Sequence, residues 1–248
     1  MGEILNDFRS VTLPIHIGFG FFVLALFWLQ VFSRKGSRWH VRAGKAFYWS
    51  GLIIVVTAIF GVAAVLIDAF TGDHDIALND ARLAAVFFLG YLAIITFAIL
   101  EKGRSAIRFR GPSPGARSVF AYVRAFAALA ASLALISYAI AFRPSNMIIL
   151  LALSPLGVFI FMETQSFQKK GNDYSQRWVV EHMDGMLGAG IAFHTAFFVF
   201  GASSFFNPLL AGTPLQLLPW ILPTLVGVPA GVIWKRKLLR QSGAGAAE

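Results

Sequence analysis

The residues most able to do chemistry are four histidines, His16, His40, His182 and His194. Imidazole is a common ligand for haem iron and other metals, and a pair of facing imidazoles in a helical bundle can hold a b-type haem. His16 with His194, or His40 with His182, has the required residue types, and Gly18, Gly20, Gly185, Gly188 and Gly190 would supply room for a porphyrin. His16 and His194, expected within spans, are the leading pair, whereas His40 in a basic loop equally suits headgroup contact. His182 and His194 are twelve residues apart. At about 100° per residue they point roughly 120° away from each other around one helix. A helix serving two stacked haems needs both ligands on one face, so the spacing favours one haem or none.

A second set of residues suits a divalent metal: His40, Glu163, His182 and Asp184. The run Glu181-His182-Met183-Asp184 is rich in ligand types, but adjacent residues on a helix point in different directions. The run therefore needs His40 or Glu163 to complete a site, which would be that of a metal-dependent membrane hydrolase. Arg124, Glu163 and Asp184 could instead line the cavity of a small-solute or lipid transporter. A purely structural reading competes with both, because Arg124, Glu163, Arg177 and Asp184 near helix ends also suit interfacial ion pairs and snorkelling contacts.

The elements that must carry these residues are membrane helices. Of 248 residues, 57% are hydrophobic and 13% charged, against roughly 45–50% and about 25% in soluble domains. A span takes about 20 apolar residues. Runs of that order predict about seven crossings, at about 11–33, 46–68, 83–100, 119–142, 145–163, 183–206 and 215–234. The last two come from one long run, Gly185–Trp234, divided by a turn expected over Asn207–Pro214. In hydrocarbon only helices or closed barrels satisfy every backbone amide, and strand-like alternation is missing, so the expected fold is an all-α polytopic transmembrane bundle. Residues 1–240 read as one membrane domain and 241–248 as a disordered tail. Trp178–Val180 suggests a short interfacial helix in the fifth loop, and Gly111–Gly115 a stiff loop.

The formal charge of +9 is placed unevenly. Arg34, Lys35, Arg38, Arg42 and Lys45, then Lys102, Arg104, Arg108, Arg110 and Arg117, then Lys169, Lys170 and Arg177, and finally Lys235, Arg236, Lys237 and Arg240 occupy alternate loops. The positive-inside rule then puts the amino terminus outside and the carboxyl terminus in the cytoplasm. Anionic lipid headgroups on the cytoplasmic side account for the charge, and nucleic acid is not needed as a partner. The polar residues 1–10 precede a span-length apolar run, so the first helix is expected to stay in the protein. Cysteine is absent, which removes disulfides, thiolate ligands and cysteine nucleophiles. The phenylalanine clusters read as packing and lipid-facing residues, and most tryptophans as an interfacial belt. Pro155, Pro219, Pro223 and Pro229 interrupt helical bonding within spans.

His16-x-x-x-Gly20, followed by Arg34-Lys35-Gly36-Ser37-Arg38-Trp39-His40-Val41-Arg42-Ala43-Gly44-Lys45, resembles a bacterial family of predicted inner-membrane proteins known only as a domain of unknown function. The likeness is best over the first two helices and extends to His182-Met183 and His194-Thr195-Ala196-Phe197. It implies a bacterial inner-membrane location and a shared histidine pattern, and no activity, substrate or cofactor.

Overall fold

The computed structural model describes residues 2–71, 77–108, 119–169, 174–210 and 213–244. Among them the chain is helical and contains no strand. In order the helices are α1 (Gly2–Phe32), α2 (Arg38–Thr71), α3 (Ala81–Arg108), α4 (Val119–Phe142), α5 (Met147–Leu153), α6 (Leu156–Lys169), α7 (Tyr174–Ala196), α8 (Ser203–Leu210) and α9 (Leu218–Ala244). A π-helical turn, Phe197–Gly201, follows α7, and a 3-10 turn, Pro214–Leu217, precedes α9. Seven helical stretches among the described residues are long and apolar enough to cross a membrane, with α5 and α6 forming one of them. The protein is an integral, multi-pass helical membrane protein.

Local chemistry sets the helix ends. Asp80 Oδ1 accepts the Arg82 and Leu83 backbone N–H groups at 2.6 and 3.4 Å and starts α3. Gly36, at φ 78°, makes the left-handed turn between α1 and α2 that a side chain would strain. Ser37 Oγ then accepts the His40 N–H at 3.2 Å, capping α2. Pro155 has no N–H to offer the Leu151 carbonyl, and the helix breaks there. Ser154 Oγ donates to that same carbonyl oxygen at 3.1 Å.

Several elements differ from the sequence expectation. Trp178–Val180 lies within the continuous α7 and forms no separate interfacial helix. Asn207 and Pro208 belong to α8, so the chain reverses through a short helix and a 3-10 turn. Helix α9 continues to Ala244, into the expected tail, while 245–248 and the Gly111–Gly115 loop lie outside the described residues.

Two compact units are present: Met1–Phe19, Trp49–Ala98 and Pro114–Gly171 form the first, and Gly20–Tyr48, Ile99–Ser113 and Asn172–Glu248 the second. In the first, α4 presents the buried Ala121, Ala125, Ala128, Ser132 and Ala139. A Cβ on Gly157 of α6 would collide with the Ala128 carbonyl oxygen and Ser132 Oγ, so backbone meets backbone along this seam. In the second unit Gly185 of α7 sits against Gly103 of α3, and Gly227 and Gly231 of α9 against Ile191 and Leu187 of α7.

Candidate functional site

The second unit gathers most of the polar chemistry, beginning at the turn between α1 and α2. There the Gln30 carbonyl oxygen accepts the Lys35 ammonium at 2.8 Å, Ser33 Oγ at 3.3 Å and His40 Nδ1 at 3.3 Å. Lys35 also donates to the Val31 carbonyl at 3.1 Å, closing the end of α1. Burial pushes the Lys35 amine below the usual lysine range. A carbonyl can only accept, so Nδ1 of His40 carries the proton and, in the neutral ring, Nε2 carries the lone pair. His182 and Lys35 are both close enough to His40 to act on it electrostatically.

His182 is held the same way from another helix. Its Nδ1 donates to the Gly103 carbonyl at 2.8 Å. That contact exists because α3 and α7 touch at Gly103 and Gly185, leaving the carbonyl within reach of the ring. Charged residues adjoin His182 and Gly103 in sequence. Lys102 pairs with Glu181 at 3.2 Å, with both side chains 14% exposed, and Lys235 pairs with Asp184 at 3.3 Å. Tyr48 donates to Glu101 Oε2 at 3.3 Å, and the Arg104 guanidinium lies 4.2 Å from the Tyr48 ring centroid.

Deeper in the same unit, His194 Nδ1 donates to the Gly190 carbonyl one turn back at 2.7 Å. Its Nε2 accepts the Trp28 indole N–H at 3.1 Å, and the Phe27 ring stands edge-on at 5.0 Å. The π-helical turn begins three residues later, a feature frequent at functional sites. In the first unit, His16 Nδ1 is 2.8 Å from Thr57 Oγ1. The Thr57 hydroxyl spends its proton on the Ile53 and Ile54 carbonyls, at 2.8 and 3.0 Å, so it accepts from His16.

Each of the four described histidines is therefore anchored through Nδ1–H, which leaves Nε2 as the basic nitrogen. Sequence spacing gives no hint of this, because the acceptors are two carbonyls from other segments, one carbonyl a turn away, and a threonine. Gln30 and Trp28 were likewise invisible as site residues.

The structure brings His40 and His182 into one unit, with Asp184 engaged by Lys235. Glu163 belongs to the first unit, and among the described residues no three His, Asp or Glu side chains gather as a metal-binding group. Arg124 is buried at 6% exposure in α4. The glycines expected to make room for a porphyrin divide into two kinds. Gly185, Gly188 and Gly190 are filled by Gly103, Ile99 and Phe27 and serve helix packing, whereas Gly18 and Gly20 face open space. Compared with family models, curated proteins and solved structures, the chain matches none of them.

Proposed function

We propose that this membrane protein holds a metal-centred redox cofactor through imidazole, with His40 and His182 as its ligand pair at the basic, cytoplasmic end of the second unit. The observation that supports this reading is the common anchoring of the histidines. A ligating imidazole almost always donates its other ring N–H to a carbonyl or carboxylate, which fixes the tautomer and raises the basicity of the ligating nitrogen. His40 and His182 meet that requirement through Gln30 and Gly103.

Haem b suits two imidazoles better than a bare ion does. The porphyrin supplies four nitrogens and asks the protein for two axial ligands, whereas a divalent ion asks for three or four protein groups. Lys35, Arg38 and Arg42 near His40 would suit the propionates of the porphyrin. The pair favoured by sequence, His16 and His194, divides between the two units, and the Nε2 of His194 is taken by the Trp28 indole. We place the protein in a bacterial inner membrane, in keeping with the histidine pattern of the family it resembles.

The test is a cofactor inventory on protein made with haem and metals in supply and purified in detergent. Stoichiometric haem with a b-type reduced-minus-oxidised spectrum supports the reading. A flat spectrum together with no stoichiometric metal rejects it. A transporter is the second reading, and it gains one observation: the fifth span is broken near its middle, as carrier helices often are.

A further inference from the structure

Helix α9 has two different faces toward its basic end. Gly227 and Gly231 set one face against Ile191 and Leu187 of α7, and beside it Lys235 pairs with Asp184 while the Lys35 ammonium lies 6.0 Å from the Trp234 ring centroid. At about 100° per residue, Arg236 and Arg240 lie roughly 140–180° around the helix from Gly231. Four residues apart, they stack one turn above the other, with Lys237 alongside. All three are exposed, and among the described residues their side chains have no ion-pair or hydrogen-bond partner. The described acids of this unit, Glu101, Glu181 and Asp184, are already engaged by Tyr48, Lys102 and Lys235. Toward the middle of the span the same face continues through Ile233, Val226 and Leu222, all exposed and apolar.

We propose that this face of α9 binds one anionic phospholipid, with its phosphodiester held by Arg236 and Arg240 beside Lys237 and an acyl chain laid along Ile233, Val226 and Leu222. A guanidinium fork matches phosphate oxygens in a bidentate fashion, and cations at the end of a span attract anionic headgroups. The depths agree. Helix rise from Ile233 is about 4.5 Å to Arg236 and about 10 Å to Arg240, and the headgroup layer on each side of the hydrocarbon is roughly 5–8 Å thick. The two guanidinia therefore bracket that layer. An acidic soluble protein could reach Arg240 but could not cover Val226 and Leu222, which lie within the candidate span. The histidines take no part, so the site is independent of the cofactor reading.

Native mass spectrometry of the full chain in detergent, titrated with phosphatidylglycerol or phosphatidylcholine, tests this. The wild type should hold its first phosphatidylglycerol roughly 25-fold more tightly than phosphatidylcholine, since each of two cations contributes about fivefold. Arg236→Gln combined with Arg240→Gln should erase that preference. Arg34→Gln combined with Lys45→Gln removes the same charge from other exposed positions of this unit and should change it less than about twofold. An equal loss in the second pair means that summed charge alone attracts the lipid, and it overturns the site, as does a wild type that binds both lipids alike. A preference that survives in Arg236→Gln with Arg240→Gln also rejects the site and leaves the stripe to an acidic protein. If that double variant fails to fold, Arg240→Gln decides alone: a loss of about fivefold upholds the proposal, and a loss under about twofold rejects it.

Discussion

The Gly103 carbonyl oxygen accepts a hydrogen bond from His182 Nδ1 at 2.8 Å, and it can do so because Gly103 and Gly185 let α3 and α7 touch. A packing device and the orientation of a candidate ligand are thus one feature, and they can be separated experimentally.

Gly185→Ala should destabilise strongly, since its Cβ would run into the Gly103 backbone rather than into a flexible side chain. Overpacking of this kind costs about 1–3 kcal/mol, and a backbone obstacle puts it at the upper end. Gly18→Ala is the control. Nothing lies within 4 Å of its Cβ position, and alanine gains roughly 1 kcal/mol of helix propensity over glycine. Thermal unfolding in one detergent should show a large drop for the first and none for the second.

The Lys102–Glu181 pair should behave as a coupled, mostly desolvated interaction. Glu181→Gln alone should cost on the order of 2 kcal/mol, between the values for surface and buried pairs. The swap Lys102→Glu with Glu181→Lys should recover much of that loss. Denaturation of the single and double variants measures the coupling, and a swap no better than the singles would count against a specific pair.

Trp28→Phe should leave the fold intact at a cost of about 0.5–1.5 kcal/mol, the worth of one neutral hydrogen bond. Its sharper consequence is chemical. With the indole N–H gone, His194 Nε2 loses its donor, and acylation of that ring by an imidazole-directed reagent should accelerate. Peptide mapping of the modified residue reads this directly.

The Lys35 amine, depressed by burial, gives a pH dependence of definite sign. Between its folded and unfolded pKa values the unfolded chain binds more protons, so stability rises with pH across that alkaline window. Below the folded value both states are protonated and Lys35 contributes no slope, neutral pH included. The unfolding temperature of the wild type relative to Lys35→Arg should therefore be flat through neutrality and climb toward pH 10.

The number of spans was legible because twenty apolar residues have few other uses. The helix break at Pro155 follows from residue type alone. The role of Gly185, Gly188 and Gly190 was not legible. A glycine makes room for whatever is adjacent, and whether that is a porphyrin or Phe27 depends on a partner distant in sequence. The role of Tyr91 at the α5–α6 break is not legible for a related reason. Serine and tyrosine are ordinary in spans, and only the fold sets Tyr91 against the Leu153 and Ser154 carbonyls beside Pro155. The Nδ1 anchors of the histidines are not legible in the sequence, since three of the acceptors are backbone carbonyls and every residue carries one.

Ligation by His40 and His182 is read out by a reduced-minus-oxidised visible spectrum of wild type, His40→Ala, His182→Ala, His16→Ala and His194→Ala. The expected result is a b-type signal in the wild type that disappears in His40→Ala and His182→Ala and survives in the other two. A signal that persists in His40→Ala or His182→Ala, or one lost only with His16 and His194, would contradict the assignment.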